Sequence, residues 1–167
     1  MKKVFYFLFV VILFVNGYSI PCNAQNKKTA KIEKYNKLAQ QVKDSVNNRH
    51  FTVNVNMAYP QSHRAINLTS MYSVRISGDS IISYLPYYGR AYNVPYGGGK
   101  ALNFTGKIYN YTAVRNKKNM TRITLNVKTD EDTYKYSLEI FDNGSTSIDV
   151  SSNQRQYISF SGDMITK

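Results

Sequence analysis

From Phe51 to the C terminus, apolar residues return at every second position, and this period decides what the chain can fold into. Phe51, Val53, Val55, Met57 and Tyr59 alternate with polar residues up to Pro60. Tyr72, Val74 and Ile76 repeat the pattern, and Ser77-Gly78-Asp79-Ser80 turns the chain into Ile81 to Leu85. Tyr109 to Arg115 precedes the polar turn Asn116 to Asn119, and Ile123, Leu125 and Val127 lead to the acidic turn Asp130-Glu131-Asp132. Tyr134, Tyr136, Leu138 and Ile140 run to Asp142-Asn143-Gly144, a hairpin signal. Ile148 and Val150 follow, then Ile158 and Phe160 before Gly162. Short one-faced strands joined by tight turns make an antiparallel meander, not βαβ units. Seven or eight of them curl into a small barrel or sandwich, which hides the edge strands. The fold class is therefore mainly β.

One segment breaks the period. Between Lys27 and Arg49, Ile32, Tyr35, Leu38, Ala39, Val42 and Val46 recur at spacings of three and four, with polar residues between them. That is one N-terminal amphipathic helix, ending near Asn47-Asn48 and packing on the sheet. A basic membrane-surface helix is the sharper alternative, but the apolar stripe has one aromatic and no Trp or Phe.

Residues 1–24 stand outside this fold argument. Lys2 and Lys3 precede an unbroken apolar run from Val4 to Val15, and the stretch ends Pro21-Cys22-Asn23-Ala24 with small residues around the junction. This is the layout of a signal peptide cut before Gln25. The run is too short for a membrane span, which needs about 20 residues. Ser19-Ile20-Pro21 is unlike the small residues expected before a lipidated cysteine, so a lipoprotein anchored at Cys22 is the weaker reading. Cleavage removes two lysines and no acid, lowering the net charge from +12 to +10, and takes away the one cysteine. Residues 25–167 then form a single helix-plus-β domain, periplasmic or secreted, held by burial and hydrogen bonding without disulfides.

The stretch DSIISYLPYYGRAYNVPYGGGK, from Asp79 to Lys100, has a composition that core packing does not require. It holds Tyr84, Tyr87, Tyr88, Tyr92 and Tyr96 with Arg90, two of the four prolines and four glycines. Pro86 and Pro95 exclude a regular strand. The tyrosine faces suit stacking on a sugar or lining an amphiphile pocket, and Arg90 suits a carboxylate or phosphate. The same residues would equally form a flap sealing one end of the sheet, with Asp79 and Arg90 paired. Gly78, Asp79, Gly89, Gly97 and Gly98 are the candidate turn positions.

Gly78-Asp79-Ser80, Leu85-Pro86-Tyr87-Tyr88-Gly89-Arg90-Ala91-Tyr92 and Pro95-Tyr96-Gly97-Gly98 together resemble the core of an uncharacterised, domain-of-unknown-function family of small exported proteins from Gram-negative anaerobes. The Asn153-Gln154-Arg155-Gln156 stretch and the Ile-Ser-Phe-Ser-Gly run near the end are also similar. The resemblance spans roughly residues 30–165 and implies one domain behind a signal peptide. It implies no active site.

Catalytic and metal motifs fail in turn. Two histidines, His50 and His63, and no mature cysteine exclude a zinc cluster by ligand count. Gly97-Gly98-Gly99-Lys100 lacks both the first glycine and the Ser/Thr of a P-loop. Asp79, Glu139, Asp149 and Asp163 are the acids from which a hydrolytic pair would have to come, while Asp130 to Asp132 read as a solvated turn. Basic charge is concentrated before residue 130, but export directs it to envelope polymers, lipids and glycans and not to nucleic acid. The expectation is a non-catalytic binding or accessory module without cofactor, metal or stable membrane span, using the 79–100 loop as a ligand surface. Its partner would be an envelope glycan, lipid or protein. The alternative is a structural or protein-interaction domain with no small ligand, and a hydrolase is the weakest reading.

Overall fold

The computed structural model describes residues 23–93, 99–116 and 119–165, with side chains from Lys28 on. Residues 1–22, with most of the expected leader and Cys22, lie outside the described residues, as do Tyr96, Gly97 and Gly98. Contacts group the chain into two units, up to Lys34 and from Tyr35 onward. In the first unit, the described residues are the opening turns of a helix whose side chains from Lys28 are exposed.

Helix α1 spans Asn23–Asn47, beginning four residues before the expected Lys27. Only the later part of its apolar stripe is covered: Ala39, Val42 and Val46 are buried, Leu38 is half-buried and Tyr35 is exposed. Eight strands follow: β1 His50–Pro60, β2 Ile66–Ser77, β3 Ser80–Tyr84, β4 Asn103–Asn116, β5 Met120–Lys128, β6 Thr133–Phe141, β7 Ser145–Ser152 and β8 Ile158–Ile165. Each pairs antiparallel with its neighbours in sequence, and β8 pairs with β1, so the meander closes into a barrel. Inward residues, among them Val53, Val74, Ile81, Ile123, Leu125, Leu138, Ile148 and Phe160, are fully buried and share one core with Val42 and Val46 of α1. The helix thus serves one end of the barrel, where β1 begins. Among the described residues, no helix is long and apolar enough to cross a membrane.

The alternation in β1 does not run unbroken. Val55 pairs with Gly162 and Met57 with Ser161, leaving Asn56 as an extra residue. This bulge reverses the faces. Ala58 and Pro60 are buried, while Met57 and Tyr59, expected inside, turn outward. Gly162 makes the bulge possible, because a Cβ there would collide with the Asn54 carbonyl. A second bulge in β4 sets Asn110 at φ 55°. Beyond it the face shared with inward Ile123 passes to Ala113, with Tyr111 and Arg115 in step.

Polar contacts hold the helix end. Gly78, at φ 60° in the two-residue β2–β3 turn, donates its N–H to the Arg49 carbonyl at 2.9 Å. The Arg49 guanidinium sits 3.0 Å from Asp79 and 4.3 Å from the Tyr111 ring centre. Asp79 therefore pairs with Arg49 and not with Arg90. Arg115 grips Asp142 in the β6–β7 turn through two bonds of 2.7 Å, bridging across β5. In the barrel interior, the Tyr136 hydroxyl lies 3.0 Å from Ser83 Oγ, and burial pushes its phenol well above the ordinary range.

Two outcomes follow. Gly162→Ala forces the β1 bulge apart and costs about 3 kcal/mol, read as a lower urea midpoint. The raised Tyr136 phenol means that the unfolded chain loses this proton first as pH rises past about 10, so folding weakens by up to about 1.4 kcal/mol per pH unit above that point. Tyr136→Phe costs about 1 kcal/mol at pH 7. Urea titrations between pH 7 and 11.5 will show a shallower alkaline decline for this variant than for the wild type.

Candidate functional site

The barrel end remote from α1 gathers four loops, 61–65, 85–102, 129–132 and 153–157. Leu85 and Leu102, at the two ends of the longest loop, are buried in the core, and Tyr87 and Tyr88 pack against it. Apolar anchors at both ends thus hold a segment that Pro86 keeps out of the ladder. Farther along, the loop runs beside residues 154–156. Tyr92 N–H donates to the Gln154 carbonyl at 2.8 Å, Gln156 N–H donates to the Arg90 carbonyl at 2.9 Å, and Ala91 and Arg155 form a bridge between these bonds. The Tyr87 hydroxyl points at the carbonyl oxygens of Arg90 and Gln156, 2.9 and 2.8 Å away.

Arg155 is the centre of this arrangement. Its side chain is 7% exposed, and Nη2 donates to Glu131 Oε2 at 3.2 Å. The guanidinium also lies 5.5 Å from the centre of the Tyr87 ring. Glu131 accepts a second bond from the Lys100 N–H at 2.8 Å. Gly99 sits so close that a Cβ would clash with both Glu131 and Arg155. Tyr134 reaches up from β6 to donate to the Ala101 carbonyl at 2.9 Å, with the Phe104 ring stacked on it at 4.9 Å. Burial pushes the Tyr87 and Tyr134 phenols up, and the nearby Arg155 acts against that shift at both.

The acidic turn is solvated only at its start: Asp130 is exposed, Glu131 half-buried and Asp132 buried. Asp132 is buried, accepting the Thr133 N–H at 2.7 Å and the Gln154 N–H at 3.3 Å. Thr129 Oγ1 accepts the N–H groups of Glu131 and Asp132 and donates to the Asp132 carbonyl. The turn is therefore a receptor for Arg155 and the loops around it.

The sequence-derived candidates fall into separate groups. Tyr87 and Tyr88, packed against the core with Leu85 and Leu102, form a plug over this end of the barrel. Tyr84 closes β3 pointing outward, half exposed, its ring stacked on Tyr72 at 5.4 Å. Arg90 is exposed, and Tyr92 is 66% exposed. Gly78 and Asp79 form a turn at the opposite end, and Gly89 sits so close over the Tyr87 ring that a Cβ would meet its hydroxyl. Tyr96, Gly97 and Gly98 fall outside the described residues.

Beside the plug, the barrel wall opens into a cleft of about 370 Å³ where β4 and β5 part, rimmed by Lys100, Lys107 and Lys128, with Phe104, Asp130 and Glu131 among its other lining residues. A second hollow of about 550 Å³ lies over β1 and β2, where Arg75 donates to Thr52 Oγ1 at 3.3 Å. Among the acids considered for hydrolysis, Asp79 engages Arg49, Glu139 engages Arg122 and Asp149 accepts from the Tyr157 hydroxyl. His50 opens β1 while His63 lies in the loop beyond β1, at the other end. Among the described residues, no three His, Cys, Asp or Glu lie close enough to hold a metal ion.

Arg155 and Glu131 emerge only in three dimensions. The available signal was Arg155 as one of three basic residues in the acidic stretch 130–167. Truncating Arg155 to Ala strands Glu131 in a partly buried site and removes the cation facing Tyr87. The cost is about 2–4 kcal/mol, discounted at its lower limit for the partial exposure of Glu131. Arg155→Ala with Glu131→Gln costs less than the two single changes summed, as a double-mutant cycle of urea midpoints will show.

Comparison with known proteins bears on the fold and the family. No curated protein matches the chain. A crystal structure of a DUF4251 family protein from Bacteroides eggerthii is similar, with a TM-score of 0.59 at 12% sequence identity, covering 77% of this chain and 87% of that one. At that identity the likeness speaks for the fold alone. The profile of DUF4251, a domain of unknown function, matches residues 33–164, which take in the later turns of α1 and nearly all of the barrel, and the chain belongs to this family.

Proposed function

We propose that this protein works outside the cytoplasm, in the periplasm or secreted, as a non-catalytic interaction module that meets its partner with its outer surface and loop tips. The observation that carries this reading is the packed interior. The inward side chains of the strands bury one another, with Leu85 and Leu102 closing the loop end, whereas a barrel that holds a small ligand must keep room inside. Export rests on the leader-like residues 1–24 and on a mature chain free of cysteine. On this reading the 79–100 loop divides its work. Leu85, Tyr87 and Tyr88 keep the end shut, while Tyr84, Arg90 and Tyr92 stand on the surface, where an envelope glycan, lipid headgroup or protein would meet them.

Expression with the native N terminus in a Gram-negative host tests the first half. Osmotic shock is expected to release a protein whose mass begins at Gln25, and a cytosolic product retaining Met1 overturns export. A thermal-shift screen against peptidoglycan fragments, anionic lipids and glycans tests the second. A ligand at about 100 times its Kd adds about 2.7 kcal/mol of stability. Arg90→Ala with Tyr92→Ala is expected to abolish such a shift without changing the melting temperature of the free protein. Tyr87→Ala alone lowers that temperature by about 5 °C.

A further inference from the structure

The cleft beside the plug exists because two neighbouring strands part company. Asn103 to Lys107 of β4 pair with β3 from Tyr84 back to Ser80, but the β4–β5 register begins only at Ile108 opposite Val127. On the β5 side, therefore, the first five residues of β4 have no strand partner among the described residues. The direction of the free groups follows from one bond. Ile108 donates its N–H to the Asp79 carbonyl, on the β2–β3 side. Backbone groups of alternate residues in an antiparallel strand face opposite sides, so Thr105 turns its N–H and C=O toward the opening, and Lys107, whose carbonyl joins the ladder beside the Ile108–Val127 pair, turns its N–H there.

The charge around this edge has one sign in excess. Lys100, Lys107 and Lys128 rim the cleft and none makes an ion pair among the described residues. Of the two acids there, Glu131 is neutralised by Arg155 and capped by the Lys100 N–H, leaving Asp130 alone against three ammonium groups. Lysines on an edge commonly discourage indiscriminate pairing with other strands. The cleft floor carries Phe104 and Gly106, and the absent Cβ of Gly106 leaves its space to the Val127 side chain.

We propose that this fork is a strand-addition site, which takes an extended acidic segment of a partner protein along Asn103–Lys107, with main-chain bonds to Thr105 and Lys107 and carboxylates set against Lys100, Lys107 and Lys128. Strand addition gives affinity through the main chain and specificity through side chains at alternate positions. The site rests on the reading of the protein as an interaction module and names the chemistry of its partner.

The test is titration of the purified protein with an N-acetylated six-residue peptide alternating Asp and Val, followed by fluorescence anisotropy at low and physiological salt. The Lys–Val counterpart serves as charge control, and a sulfated oligosaccharide as an anion without a strand backbone. The acidic peptide is expected to bind, the basic one not, with affinity falling as salt rises. Thr105→Pro removes an edge donor that β3 does not use and is expected to abolish peptide binding with the melting temperature retained. Lys107→Glu with Lys128→Glu, which leaves the backbone intact, is expected to weaken binding at least about tenfold. Peptide binding unchanged in folded Thr105→Pro overturns strand addition, as does binding of the sulfated oligosaccharide in place of the peptide. Equal binding of both peptides overturns acidic selection. Failure of every probe removes this site yet leaves the interaction-module reading to the export and thermal-shift results, which do not depend on β4.

Discussion

A guanidinium buried at the mouth of a barrel has to be met by charge and polar atoms, and most of the loop end is shaped by meeting Arg155. Glu131 supplies the counter-charge, Tyr87 an aromatic face, and the 129–132 turn the scaffold that holds the carboxylate in place. Arg155, Glu131 and Tyr87 come from three different connections. The loops are consequently ordered by one another, not by the strands they join, and a change in one is felt in the other two. Buried ion pairs of this kind add little net stability, because desolvation offsets the attraction, but they penalise every arrangement that leaves one member alone. Specificity of closure is the gain.

The two ends of the barrel solve the same problem differently. At the helix end, Val42 and Val46 fill the opening with apolar surface, and the surrounding turns are tied down by Arg49 to Asp79 and Arg115 to Asp142. At the other end the plug is aromatic and polar. The strands between are unequal: β3 has five residues and β4 has fourteen. A short strand beside a long one cannot cover it along its whole length. β4 therefore outruns β3 near its end, and β5, with nine residues, pairs with it only from Ile108 on.

Much of this was legible in the sequence, and the exceptions have physical causes. The period of two in β5 to β8 reports directly on a wall with one dry face, so those strands and the Asn143-Gly144 turn are plain. β1 looked regular through Tyr59, because one extra polar residue among polar neighbours leaves the pattern of letters intact while reversing the faces beyond it. The first half of β4 was silent, since Gly106 occupies the inward position between Phe104 and Ile108 and breaks the apolar alternation. The unusual 79–100 loop was identifiable by composition, yet its division into sealing and exposed tyrosines depends on Leu85, Leu102 and Arg155. No local pattern connects those three. The acidic turn misled in part for the same reason: Asp130 is exposed as expected, but Glu131 meets a residue 24 positions away.

The seam between β1 and β8 carries a temporal meaning as well as a spatial one. The first strand acquires its second neighbour only when the last has been made, through pairs such as Thr52 with Ile165 and Pro60 with Ile158. Until then a growing chain has an unclosed sheet with two bare margins and nothing to lock its circumference. Contacts that span so much of the sequence are formed late and slowly. A polypeptide of this design keeps its sheet open for most of its synthesis, and completes its circle only when β8 reaches β1.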